Sequence, residues 1–170
     1  SELWAVNHMS GWQGNFAQLA AIQPVGTPEK RDQALARWRM LPRYIDTEIS
    51  NLREGLKLGY TAPKLTVRLV IGQLDSLLQA PFENSPFSSP AMRDKTPEFV
   101  EAWHRLLSNE VHAAIRRYRD FLDKEYLAGA RDSIGVSALP NGSEIYRALF
   151  RSATTIDRPA EETFRLGQEA

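Results

Sequence analysis

The 170-residue chain contains no cysteine, so it can form no disulfide and no thiolate metal site. It has three histidines, His8, His104 and His112, and they make neither a His-x-x-x-His pair nor a His-Glu-x-x-His. His104 and His112 are eight residues apart, which on a regular helix puts them roughly 80° apart around the axis and about 12 Å along it. That spacing cannot chelate one ion, and no zinc site can be assembled from these residues alone. Neither sign of charge is in excess, with 21 Lys plus Arg against 21 Asp plus Glu. This balance excludes a protein that finds nucleic acid or membrane surfaces by electrostatics. No apolar run approaches the ~18 residues of a membrane span. There is no glycine-rich phosphate loop, nucleophile elbow or Ser-x-x-Lys. Period-two alternation is also missing, and Ile134–Leu139 is the only short candidate strand.

Helical periodicity is present instead. From Phe99 through Trp103, Leu106, Leu107, Val111, Ala114, Ile115, Tyr118, Phe121 and Leu122 to Tyr126, apolar residues recur at steps of three and four. That is one buried helical face. Thr96 is the expected N-cap, Pro97 suits the first helical position, and Glu98 complements the helix dipole. Gly129 reads as the stop signal. A helix from Thr96 to about Tyr126 is long enough to be the central member of a bundle. The predicted fold is all-α, an irregular bundle of about six or seven helices around this spine.

The remaining segments fit that picture. Trp4, Trp12 and Phe16 anchor the first residues, with a short helix over Asn15–Ile22. Thr27-Pro28-Glu29 repeats the capping chemistry and opens a helix that ends before Pro42. Pro42 opens the next helix, with Ile45, Ile49, Leu52 and Leu56 inward and Gly59 just past its end. A helix starting near Ala62-Pro63 carries Val67, Val70, Ile71, Leu74, Leu77 and Leu78, and its Gly72 predicts a close helix–helix approach. Residues 80–95 form a loop joining two helical halves, pinned by Phe82 and Phe87, so residues 1–170 are read as one domain. Asn141-Gly142-Ser143-Glu144 has the form of a capping box. Ile145, Tyr146, Leu149 and Phe150 follow on one helix, and Pro159 starts the last. The chain lacks an initiator methionine and a signal-like leader, and residues 164–170 read as a helix still running. A piece of a longer polypeptide is therefore expected.

Few residues carry chemistry. Glu110 and His112 fall on different helical faces. Arg116, Arg117 and Arg119 beside Asp120, Asp123 and Glu125 read as a solvated face laced with i,i+3 and i,i+4 ion pairs. Pro140-Asn141-Gly142 is turn chemistry, and the amides that follow it could hold a carboxylate.

A resemblance adds to this. Glu125-Tyr126-Leu127-Ala128-Gly129-Ala130-Arg131, the run Gly135–Gly142 with Tyr146 after it, and Thr154-Thr155 with Pro159–Glu162 and Leu166-Gly167 form an ordered set. Leu41-Pro42, Leu52–Gly55, Gly59–Pro63 and Ser85-Pro86-Phe87 precede them. Together they resemble the bacterial family known as domain of unknown function 885, over most of the chain. The resemblance implies a longer, mostly helical parent, similar to zinc metallopeptidases of the gluzincin type and often exported to the periplasm or anchored as a lipoprotein. Its His-Glu-x-x-His-like zinc motif lies downstream, so this chain itself is expected to hold no cofactor. Gly129 stands where the family often has proline, and Phe164 where it usually has histidine.

The expectation is thus a non-catalytic, cleft-forming helical part of a metallopeptidase-like protein. Its partners are the remainder of the polypeptide and a peptide substrate. Tyr126, Arg131, Asn141 and Tyr146 are the candidate cleft residues. Arg131 suits a peptide carboxylate, and the tyrosines offer an apolar body with a polar tip. The alternative is a binding module with no enzymatic link, whose exposed apolar face docks a partner or a second copy.

Overall fold

The computed structural model describes residues 2–169 and is an all-α irregular bundle. A 3-10 turn, Glu2–Trp4, is followed by α1 (Trp12–Ile22), α2 (Pro28–Trp38), α3 (Leu41–Leu58), α4 (Lys64–Gln79) and the short α5 (Ser89–Arg93). The spine is continuous over 97–129. Two further helices, Gly142–Thr154 and Ala160–Glu169, are joined by residues 155–159 into a C-terminal hairpin whose helices make little backbone contact with each other. Residues 164–169 are helical as expected, and Ala170 lies outside the described residues.

The apolar spacing of the spine explains its place. Trp103, Val111, Ala114, Ile115, Leu122 and Tyr126 are fully buried, with α3 and α4 packed on one side and α2 and α5 on its N-terminal part. The bundle centre is aromatic. Trp38 lies 5.2 Å from Trp103 and 5.5 Å from Phe87, ring centre to ring centre, in tilted and edge-on contacts. Trp103 Nε1–H donates to the Phe87 carbonyl at 3.0 Å, so the buried indole leaves no polar atom unpaired. Segment 80–95 is held the same way, with Phe87 buried and Phe82 packed edge-on to His104.

Local chemistry departs from expectation in several places. Thr27 caps α2, its Oγ1 accepting from Lys30 N–H at 3.3 Å, but Thr96 does not cap the spine. Its hydroxyl donates to Asp94 at 2.7 Å and accepts from Arg31. Buried Asp94 also accepts from the Gly26 and Thr96 N–H groups and pairs with Arg31 at 3.0 Å, so that cluster outcompetes the helix end for the threonine side chain. Asn141 forms no capping box. It sits at φ 53°, ψ 29°, a left-handed conformation that asparagine tolerates, and its side chain caps nothing. Residues 136–138 form a 3-10 turn rather than a strand. Gly129 ends the spine without a left-handed residue, and its missing side chain serves packing: a Cβ there would lie 2.8 Å from Leu56 Cδ2. At Gly72 no close approach occurs, because nothing lies within 4 Å of where its Cβ would be.

The spine is also not a uniform α-helix. Residues Leu107–Val111 and Leu122–Tyr126 are π-helical. Each π turn takes up one residue more than an α turn, so the eight-residue step from His104 to His112 covers about two turns instead of 2.2. The two histidines therefore share a face, contrary to the regular-helix reading, and line one small pocket of about 170 Å³ with Phe82, Ser85, Leu107 and Ser108. Burial, and then the nearby Arg116 and His104 charges, hold the half-buried His112 below its ordinary pKa.

Candidate functional site

Three of the segments that carry the family-like motifs, 59–63, 125–131 and 135–142, meet at one end of the bundle. After α3, Gly59 adopts φ 80°, a left-handed conformation that favours glycine, and turns the chain into 60–63. After the spine, Ala130 extends the chain into 131–135. The two extended pieces run parallel and form an isolated bridge between Pro63 and Arg131. Lys64 N–H donates to the Arg131 carbonyl at 2.8 Å, and Arg131 N–H donates to the Ala62 carbonyl at 3.3 Å. Tyr126 clamps the joint from beneath, its hydroxyl oxygen accepting from Ala62 N–H at 2.8 Å. The third segment packs on top. Leu139 is buried, the site of a Gly59 Cβ is 3.5 Å from Pro140 Cγ, and Gly142 is pressed under the 136–137 backbone. A Cβ on Gly142 would fall 2.3 Å from the Val136 oxygen, so only glycine fits there.

Charge reinforces the joint. Arg53 of α3 makes a two-point pair with Glu125 at 2.7 and 2.9 Å and covers the Phe121 ring at 5.1 Å. Lys64 pairs with Asp132 at 3.0 Å. The acidic and basic residues of the spine are bonded both to neighbouring helices and along their own. Arg117 pairs with Asp46 and Arg119 with Asp75, while only Arg119–Asp123 and Lys124–Asp120 follow the expected i,i+4 pattern within residues 116–125.

The structure separates the four candidate cleft residues. Tyr126 is 0% exposed, and burial raises its hydroxyl above the ordinary pKa despite the Ala62 N–H it accepts. Arg131 is half-buried, and its guanidinium donates to the carbonyls of Thr61, Ser133 (2.9 Å) and Ile134 (3.4 Å). These two side chains are therefore engaged in the junction itself. Asn141 is the exposed left-handed corner where the hairpin begins. Tyr146, 47% exposed, is the one that faces a cavity. That cavity, of about 550 Å³, lies between the 135–137 turn and the hairpin. Phe150, Arg147, Arg158 and Glu161 line it with Tyr146. The residues that sequence reasoning missed here are Phe150, Arg158 and Glu161. Only Phe150 carried a signal, since it shares a helical face with Tyr146.

The hairpin differs from the bundle in one respect. Beyond Asn141, Gly142 is the one buried residue among those whose burial is described. Tyr146, Leu149, Ile156, Phe164 and Leu166 are all at least 40% exposed, although Tyr146 and Leu149 stand at the spacing of a buried helical face. Phe164, read from its position in the motif set, lies on this open face at 69% exposure. Thr155, which ends the first hairpin helix, has φ 62°, an unusual conformation for a β-branched residue.

No group of three or more His, Cys, Asp or Glu side chains placed to hold a metal occurs among the described residues. The described residues therefore offer no donor set that fits zinc. No helix among the described residues is long and apolar enough to cross a membrane.

The fold is thus an all-helical bundle in which three loops are tied into one joint, with an open helical hairpin beyond it. The chain belongs to the family described as bacterial protein of unknown function (DUF885), whose model matches residues 1–170. None of the curated proteins matches it. Among solved structures it is similar to the crystal structure of "the putative lipoprotein from Colwellia psychrerythraea", with a TM-score of 0.89 at 18% sequence identity. That likeness covers 98% of this chain and 30% of the other, so the chain spans less than a third of the solved protein.

Proposed function

We propose that this chain is one helical domain of a longer, zinc-metallopeptidase-like protein, that it shapes a substrate cleft, and that it is not catalytic in itself. The observation that carries this reading is the open hairpin. It presents Tyr146, Phe150 and a 550 Å³ cavity on an apolar face that nothing among the described residues covers. The remainder of the polypeptide is the natural cover, and the cavity at the joint is where a peptide substrate would lie. Zinc belongs to the parent in this reading, and the parent's place is the periplasm or a lipid anchor, in keeping with the family resemblance. The test is peptide hydrolysis by the full-length protein. Tyr146→Ala and Phe150→Ala should raise KM for peptides while leaving the melting temperature unchanged, and unaltered kinetics in both would overturn the cleft.

A second reading rests on the same exposed side chains: a binding module that docks a partner or a copy of itself through the hairpin. Light scattering separates the two. A defined dimer of the full-length protein that dissociates on Phe164→Glu would favour the module.

A further inference from the structure

Away from the hairpin, an open groove of about 680 Å³ runs between α3 and the spine, lined mainly by polar and charged residues. The Asp46–Arg117 ion pair, at 3.0 Å, closes one end and separates it from a second hollow. In that second hollow the charges are matched, with Arg53 on Glu125 and Lys124 on Asp120. The first hollow is different. Arg39 and Arg43, four residues apart where α2 passes into α3, make no ion pair and no side-chain hydrogen bond among the described residues. The carboxamides of Asn51 and Asn109, on opposite walls, are likewise without hydrogen bonds among the described residues. Glu110 is the one lining carboxylate outside the Asp46–Arg117 pair, so the groove keeps a net positive lining. Asn109 and Glu110 stand on the first π turn, which pushes them out of the regular helical path, and π turns are frequent at functional sites.

These groups have complementary uses. A guanidinium fork matches a carboxylate with two parallel hydrogen bonds. A carboxamide offers a donor and an acceptor together, which is what one peptide unit of an extended chain requires. We propose that this groove docks an extended acidic polypeptide segment, its carboxylates on Arg39 and Arg43 and its backbone on Asn51 and Asn109. The inference is independent of the cleft reading, because it uses a different face of the bundle and needs no catalysis.

Fluorescence anisotropy tests it, with a rhodamine-labelled peptide of alternating glutamate and glycine titrated with the full chain. A peptide with glutamine in place of glutamate is the comparison. Saturable binding of the glutamate peptide, at least tenfold tighter than the glutamine peptide, is expected. Arg39→Ala combined with Arg43→Ala should weaken it about tenfold, the effect of two exposed charge contacts. Asn51→Ala combined with Asn109→Ala should weaken it at high salt as well. Arg68→Ala with Arg151→Ala removes the same charge elsewhere and should leave binding unchanged. No saturable binding, or equal losses in the Arg68/Arg151 control, would overturn the proposal. Complete displacement by inorganic phosphate would also overturn it, since the site would then take simple anions. All six positions are on the surface or at the groove wall, and circular dichroism confirms that each variant is folded.

Discussion

The spine and the hairpin are comparably amphipathic, yet only the spine buries what its sequence marks for burial. Trp103 and Tyr118 are at most 1% exposed, whereas Leu149 is 55% exposed and Phe164 69%. An apolar stripe therefore reports that a face will be covered, not that the same stretch of chain covers it. At the junction between the two regions the segments 59–63, 125–131 and 135–142 are bonded and packed together, which ties the start of the hairpin to the bundle.

Substitutions can break this contrast, and the largest effects should lie in the bundle. Trp103→Ala removes a fully buried indole and its bond to the Phe87 carbonyl, and should cost about 3–5 kcal/mol by denaturant titration. If it costs less than Leu149→Ala, the contrast is wrong. At the junction, Gly142→Ala forces a Cβ into the Val136 carbonyl and should cost about 1–3 kcal/mol. Limited proteolysis should then cut between residues 135 and 160 sooner, with the bundle left intact. Tyr126→Phe strands the buried Ala62 N–H and should cost about 1–3 kcal/mol.

Acid sharpens the comparison further. Hydrogen bonds from Thr96, and then from Arg31 and Gly26, hold the Asp94 carboxyl well below its ordinary pKa. A depressed folded-state pKa contributes stability that is present above the unfolded value and is lost as pH falls through the carboxylate range. His112, also depressed, acts in the same direction as pH falls below its ordinary value near 6.5. The buried-cluster variant Asp94→Asn should flatten the acid limb of stability against pH, read from urea midpoints. The smallest effects belong to the hairpin. Asp157→Ala breaks the exposed Arg147 pair and should change global stability by under about 1 kcal/mol. A larger change would mean that the hairpin melts together with the bundle.

Much of this was legible in the residues, for particular reasons. The spine's spacing, the Thr27 cap and the Gly59 turn are local chemistry, so they read directly. The capping reading of Asn141 failed because the tight packing of Gly142 under the 136–137 backbone needs a left-handed corner, a tertiary demand invisible in the local pattern. Thr96 was taken from its helix end by Asp94, a partner whose cluster also draws on Gly26 and Arg31 from more than sixty residues away. Tyr126 and Arg131 looked like cleft residues because motif position does not reveal whether a polar tip meets solvent or a backbone amide. Tyr146 was readable as a surface residue, and its cavity partners Arg158 and Glu161 were not, since the chain after Thr154 folds back to bring them in.

The two π turns have a consequence for how this chain tolerates change in length. Each holds one residue more than the helical path requires. Losing a residue from 107–111 or from 122–126 would relax that turn to α-helix and leave every later side chain on the face it now occupies. Elsewhere in the spine the same deletion would rotate the apolar stripe toward water. The longest helix thus carries its own slack, placed on either side of the stretch that α3 and α4 grip.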